Sequence, residues 1–151
     1  MANSNFSKWQ ATRRSSISGI SYENNDAKSL STTGYPTQFN DMAPKTGKWY
    51  VEFYNHTQAG YNVLGIVQQE SIDENDYASW LPDGSGAADY QKQYLYYSHN
   101  GNKSTRDSGG SGSSTSYGST WQSVGDIIGC ALDMDNGKVW WAKNGTWQAS
   151  G

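Results

Sequence analysis

A single cysteine, Cys130, stands in a chain of 151 residues, so no disulfide can form within it. It lies in an apolar run, which suits a buried thiol better than a reactive one. Charge is scarce. Asp, Glu, Lys and Arg make up 17% of the chain, below the roughly one quarter usual for globular domains. The basic pair Arg13-Arg14 is isolated and no longer Lys/Arg run exists. The footprint of a nucleic-acid backbone is therefore missing, and no nucleic-acid partner is expected. No stretch approaches the ~20 apolar residues that span a bilayer, so no membrane insertion is expected. The first residues, Met1-Ala2-Asn3-Ser4-Asn5, lack the apolar core of a signal peptide. Without such a leader, the Asn-x-Ser/Thr triplets at Asn5, Asn55, Asn102 and Asn144 read as chance in a Ser/Thr/Asn-rich chain. Helical periodicity is also hard to find, because Gly and Ser interrupt the chain almost every ten residues.

Aromatics, by contrast, are plentiful, at 14% and mostly Tyr and Trp. With abundant Gly, Ser and Asn, this is the composition of twisted sheets joined by long polar loops. It is also that of adhesive surfaces, where rigid aromatics give contact area at low entropic cost. The length suits one domain over residues 1–151, with 1–45 a polar and less defined segment.

Strand signals follow the period of two. Weak ones lie near Ile17 to Tyr22 and Lys28 to Thr32. Gly47 opens a clear strand, with Trp49, Val51 and Phe53 on one face and Lys48, Tyr50, Glu52 and Tyr54 on the other. The continuous apolar run from Tyr61 to Val67 suits a central strand. Residues 68–93 form a long insertion, of the kind that carries function or is disordered. Tyr94 to Ser98 is a short aromatic strand, and residues 99–120 read as a Gly/Ser/Thr/Asn surface loop. Asp126 to Met134 is a strand, and Asn136-Gly137 signals a hairpin. A two-residue turn there pairs Met134 with Val139 and Leu132 with Trp141. Cys130, Leu132, Met134, Val139 and Trp141 then share one core face. Asn144-Gly145 repeats the signal and sets Trp147 opposite Ala142, beside Trp140, on the other face.

At these residues the chain resembles the SPRY family, a branch of the concanavalin A-like sandwiches. The resemblance is carried by Gly47-Lys48-Trp49-Tyr50-Val51-Glu52-Phe53, by Val63-Leu64-Gly65-Ile66-Val67, and most strongly by the run from Gly125 through Asp133-Met134-Asp135-Asn136-Gly137 to Lys143-Asn144-Gly145. Ser116-Tyr117-Gly118 and the early Trp9 add to it. It implies an all-β fold, an antiparallel β-sandwich (SPRY / concanavalin A-like jelly roll) with a binding surface of loops at one edge and no cofactor. Family members usually continue with further strands. The sandwich here is expected to lack its last strands and the protein to continue past Gly151, since an exposed sheet edge is otherwise left. In style the chain resembles SPRY domains of bacteriophage virion proteins more than cellular adaptors.

Catalysis is not expected. His56 and His99 lack Cys or Ser partners at recognisable spacing. Of the acids, Asp133-x-Asp135 is the one dense pair suited to glycoside cleavage. It lacks the glutamates of the glucanase motif, and Asp135 is better read as leading into a turn. No metal site is assigned. The acidic residues Asp73, Glu74, Asp76, Asp83 and Asp89 could supply oxygens to calcium but have no EF-hand spacing, and a solvated loop is the simpler reading.

For ligand binding the candidates are Trp80, Asp83, Tyr90, Arg106, Tyr117 and Trp121. Tyr117 and Trp121 lie in the family motif and more simply cap the sandwich. Trp140 and Trp147 form a candidate interface, because exposed tryptophans mark contacts, unless the segment around Phe6 and Trp9 folds over them. The expectation is a non-enzymatic module of a virion surface protein such as a tail fibre, contacting other virion chains, copies of itself or a host-surface glycan. The alternative is a cytoplasmic protein-binding adaptor.

Overall fold

A computed structural model describes residues 9–14, 20–23, 26–29, 38–40, 44–56, 60–67, 93–106 and 113–150. Twelve strands run through them: β1 (Trp9–Arg14), β2 (Ile20–Glu23), β3 (Asp26–Ser29), β4 (Gln38–Asn40), β5 (Lys48–Tyr54), β6 (Val63–Val67), β7 (Gln93–Tyr97), β8 (Asn102–Arg106), β9 (Ser113–Ser116), β10 (Ile127–Asp133), β11 (Lys138–Lys143) and β12 (Thr146–Trp147). A 3-10 turn follows at Gln148–Ser150, and the described residues contain no α-helix. Every described strand pairing is antiparallel.

The chain divides into two compact units. One comprises residues 1–43 and 69–88. Its described part is two small ladders, β1 with β4 and β2 with β3. The other, residues 44–68 and 89–151, is a sandwich of two four-stranded sheets. The first sheet has the order β12-β11-β10-β5 and the second β6-β7-β8-β9.

Alternation along β5, β10 and β11 builds the core. Val51, Cys130 and Trp141 form one cross-strand row, and Trp49, Leu132 and Val139 the next. Trp141 is 1% exposed and Tyr96, across from it on β7, is fully buried. Their rings stand 5.9 Å apart at 32°. Ile128, Cys130, Leu132 and Trp121 complete the cluster, with Leu64 and Ile66 packed on it from β6. The face assigned from sequence to Cys130, Leu132, Met134, Val139 and Trp141 is thus the core face.

Burial pushes the Cys130 thiol up to about 12, so its nucleophilic thiolate is scarce at neutral pH. An aromatic disulfide reagent should label the native protein negligibly and the guanidinium-unfolded chain at once. Equal labelling rates would place Cys130 outside the core.

Three expectations need correction. The Asn136-Gly137 hairpin pairs Leu132 with Val139 and Asp133 with Lys138, two positions from the two-residue turn. The reason is local. Asp133 accepts hydrogen bonds from the Asn136 amide at 3.1 Å and its side-chain nitrogen at 2.9 Å. Met134 N–H meanwhile donates to the Gly47 carbonyl at 3.0 Å. These bonds hold Met134 to Gly137 as a four-residue loop. A slip of two preserves every face, because the side-chain period is two.

The Asn144-Gly145 turn forms as expected, both residues at positive φ (49° and 78°) and Ala142 opposite Trp147. This is the primed geometry that suits a tight hairpin.

Secondly, residues 99–120 are not one loop but contain β8 and β9. Their pairing is polar, with Asn102 Nδ2 to Ser114 Oγ at 3.2 Å and a Thr105–Ser113 hydroxyl pair at 3.0 Å. Thirdly, among the described strands β6 stands at the end of its sheet rather than centrally. Its apolar run is used on one face, where Leu64 and Ile66 turn to the core.

Candidate interaction surface

The sandwich ends where β5, β7, β9 and β11 finish and β6, β8, β10 and β12 begin. The connections at this end are tied together by hydrogen bonds. Asn55 N–H donates to the Asp126 carbonyl and Gly125 N–H to the Asn55 carbonyl, each at 2.9 Å. Ser98 N–H donates to Asn62, Trp121 N–H to Ser98, and Gly118 N–H to Gly101. Asn144 spans β10 and β11, accepting from Ile127 N–H at 2.8 Å and donating to the Ile127 carbonyl through its own amide, also 2.8 Å.

Asp126 is the electrostatic centre of this end. It accepts from Ser123 N–H at 3.1 Å and Asn144 Nδ2 at 3.1 Å, and pairs with Lys143 at 3.2 Å. Burial opposes its charge. The bonds from Asn144, Lys143 and Ser123 outweigh that and hold the carboxyl below its ordinary value. Asp133 is also held down. The Asn136 side chain is the main cause, burial opposes it, and the Asn136 amide and Lys48 at 3.4 Å assist. Asp135 accepts from Gly47 N–H at 2.9 Å. The acids that sequence reasoning tested for catalysis, Asp133 and Asp135, are thus engaged in holding turns.

Because Asp126 and Asp133 titrate lower folded than unfolded, the unfolded chain takes up their protons first as pH falls. Their stabilisation is complete well above the ordinary carboxyl value of about 3.9 and is lost below it. Urea midpoints should therefore agree at pH 7 and 5 and drop at pH 3, with a smaller drop in Asp126→Asn/Asp133→Asn. A parent midpoint unchanged at pH 3 would contradict these assignments.

The sequence-derived candidates fall in several places. Trp80, Asp83 and Tyr90 lie outside the described residues, as does the acidic stretch considered for calcium. Among the described residues no three His, Cys, Asp or Glu side chains gather for a metal. Arg106 is the last residue of β8. Trp121 is 2% exposed, its ring 6.0 Å from that of Tyr96. A ring enclosed in the core has no face to offer a ligand, so Trp121 is a core residue. Tyr117 is half-buried. Its ring meets Trp141 at 5.5 Å and 87°, its hydroxyl accepts from Trp141 N–H at 3.1 Å, and Lys103 Nζ lies 5.3 Å over it. These contacts make it a strut between the sheets. Trp140 is half-buried on the outward face of the first sheet, and Trp147 is 44% exposed on the same face.

What sequence reasoning passed over is the aromatic company of Trp147. Tyr50, on the outward face of β5, is 51% exposed and its ring meets that of Trp147 at 6.2 Å and 70°. Its hydroxyl donates to Glu52 at 2.8 Å. Tyr50 titrates above its ordinary value, through partial burial first and then the bond to Glu52 and its charge. Between the two aromatics lie Gly129 and Ala142, in one row with Glu52 and Trp147. A methyl on Gly129 would collide with the phenol end of Tyr50. The signal was present in the alternation of β5, which placed Tyr50 and Tyr54 outward; a large aromatic on a solvent face is the clue. Tyr54, Tyr61 and Val124 are further exposed residues near the loop end. Tyr54 meets the His56 ring edge-on at 4.6 Å and 71°, and Tyr61 lies tilted against His99 at 4.6 Å and 50°.

The model of the SPRY domain family matches residues 30–150. The chain belongs to the SPRY family. No curated protein matches it significantly. SPRY domains are in general non-catalytic modules that mediate protein–protein interactions, in keeping with engaged carboxylates and outward aromatics. Family membership also accounts for the motif-bearing residues. Tyr117, Trp141 and the Asn136-Gly137 and Asn144-Gly145 turns build the SPRY sandwich, whereas Tyr50, Tyr54, Tyr61 and Trp147 face outward from it.

Proposed function

We propose that this SPRY domain is a non-enzymatic recognition module of a bacteriophage or other virion surface protein, part of a fibre, appendage or capsid-associated assembly. Its partners on this reading are other virion chains and a host-surface glycan. The observation that carries the recognition role is the separation of chemistry within one sheet. The inner face holds the core, Asp126 and Asp133 hold turns, and the outer face keeps Tyr50 and Trp147 half in water. Exposed rigid aromatics suit contact at low entropic cost. The virion setting draws on the Trp/Tyr composition set among Gly, Ser and Asn, the style shared with phage SPRY domains.

Antibodies raised against the chain test the setting. Gold-labelled, they should decorate the surface of particles purified from the source organism or its lysate, at regularly repeated positions. Label confined to the cytoplasm of cells, with a monomeric protein that captures a short peptide, would favour the adaptor reading instead.

A further inference from the structure

We infer that the outer face of the first sheet, centred on Tyr50, Trp147, Gly129 and Glu52, is a stacking platform for a neutral, gluco-configured oligosaccharide; this rests on the recognition-module reading. Three contacts fix the Tyr50 ring. Its hydroxyl is held by Glu52 at 2.8 Å, Trp147 packs against it at 70°, and Gly129 leaves the room in which its phenol end lies. Half of the residue is still exposed. A ring fixed before binding loses little freedom when a ligand stacks on it.

The chemistry selects the ligand. The face of an aromatic ring is electron-rich and attracts positively polarised hydrogens. A pyranose whose ring hydroxyls are all equatorial presents axial C–H groups to that face. Glu52 stands at the ring's edge with one oxygen engaged by Tyr50. Its other oxygen can accept a sugar hydroxyl, and its charge repels anionic sugars. Lys48, two residues along the same face, pairs with Asp133 at 3.4 Å, which offsets its charge.

This face by itself is small for a stable protein interface. Four strands at ~4.8 Å spacing and seven residues at ~3.3 Å give a face on the order of 300 Å². A stable protein interface needs about 800 Å² per partner. A quaternary ammonium is also poorly served, because a cation cage needs several converging ring faces. Here Tyr50 and Trp147 meet edge-on.

Titration calorimetry with cellotriose, maltotriose and chitotriose, on the whole chain, tests this. At least one should bind. Tyr50→Ala should weaken it by about tenfold or more, the size of one lost stacking contact. Gly129→Ala should weaken it in the same sense by displacing Tyr50, and should add nothing in the Tyr50→Ala background. Tyr50→Ala should melt close to the parent, since half of Tyr50 faces water.

No binding of any of the three up to about 10 mM, or binding unchanged in Tyr50→Ala, overturns the platform. Displacement by tetramethylammonium would assign the site to a cation, and dimerisation lost in Tyr50→Ala would assign it to a second copy; either overturns it too. Release of reducing ends from a trisaccharide would instead overturn the non-enzymatic reading itself.

Discussion

Trp141→Ala should cost about 3–5 kcal/mol, the range for deleting a large buried aromatic. Trp141 is 1% exposed and sits where the two sheets meet, against Tyr96 and Tyr117. Its removal takes away apolar burial, two ring–ring contacts and the volume that sets the spacing of the sheets. The Tyr117 hydroxyl keeps the bond it accepts from the backbone N–H at 141, but its ring loses the indole it packs against. Domains are stable by only about 5–15 kcal/mol, so the loss is a large share of the whole. Urea denaturation followed by far-ultraviolet circular dichroism would read the change. Trp147→Ala, one strand away on the opposite face, should shift the midpoint little. Similar losses for the two would mean that the faces of β11 and β12 are not divided as described.

Gly101→Ala should be the next most damaging, at about 2–3 kcal/mol, for a backbone reason. Gly101 has φ of +69°, a left-handed conformation that costs an L-residue about 1–2 kcal/mol. A Cβ there would also overlap the backbone of Gly118. The Gly118 N–H donates to the Gly101 carbonyl at 2.9 Å, so relief of the overlap strains the bond that joins the β7–β8 turn to the segment leading into Trp121. The same melts measure it. Gly60→Ala is the contrast: nothing lies within reach of a Cβ at Gly60, and it should be nearly neutral. If Gly101→Ala matched Gly60→Ala, the close approach at Gly118 would be absent.

Much of this was legible in the sequence, and the reasons are particular. The inward set of β10 and β11 followed from alternation alone, because one face is buried and the period is two. Asn144-Gly145 fixed its hairpin because both residues tolerate positive φ. Asn136-Gly137 did not, because Asp133 and Gly47 supply competing hydrogen bonds that no dipeptide rule contains. Strands β8 and β9 were hidden for want of apolar alternation. Their Ser and Thr side chains pair across the ladder through hydroxyls instead. Tyr117 and Trp121 illustrate a different difficulty. An aromatic beside a loop can strut the core or meet a ligand, and only three-dimensional neighbours such as Tyr96 decide. Tyr50 was placed on the correct face, yet its partner Trp147 lies almost a hundred positions away in the chain. The platform exists only because β5 and β12 are brought to one sheet with Gly129 and Ala142 between them.

The most direct measurement is the solvent isotope shift of each tryptophan in protein labelled with 5-fluorotryptophan, its ¹⁹F spectra compared in H₂O and D₂O and assigned by single Trp→Phe variants. The resonance of Trp147 should move with solvent and those of Trp141 and Trp121 should not. A solvent-sensitive Trp141, or a Trp147 as insensitive as Trp121, would contradict a sheet with one face for the core and the other for recognition.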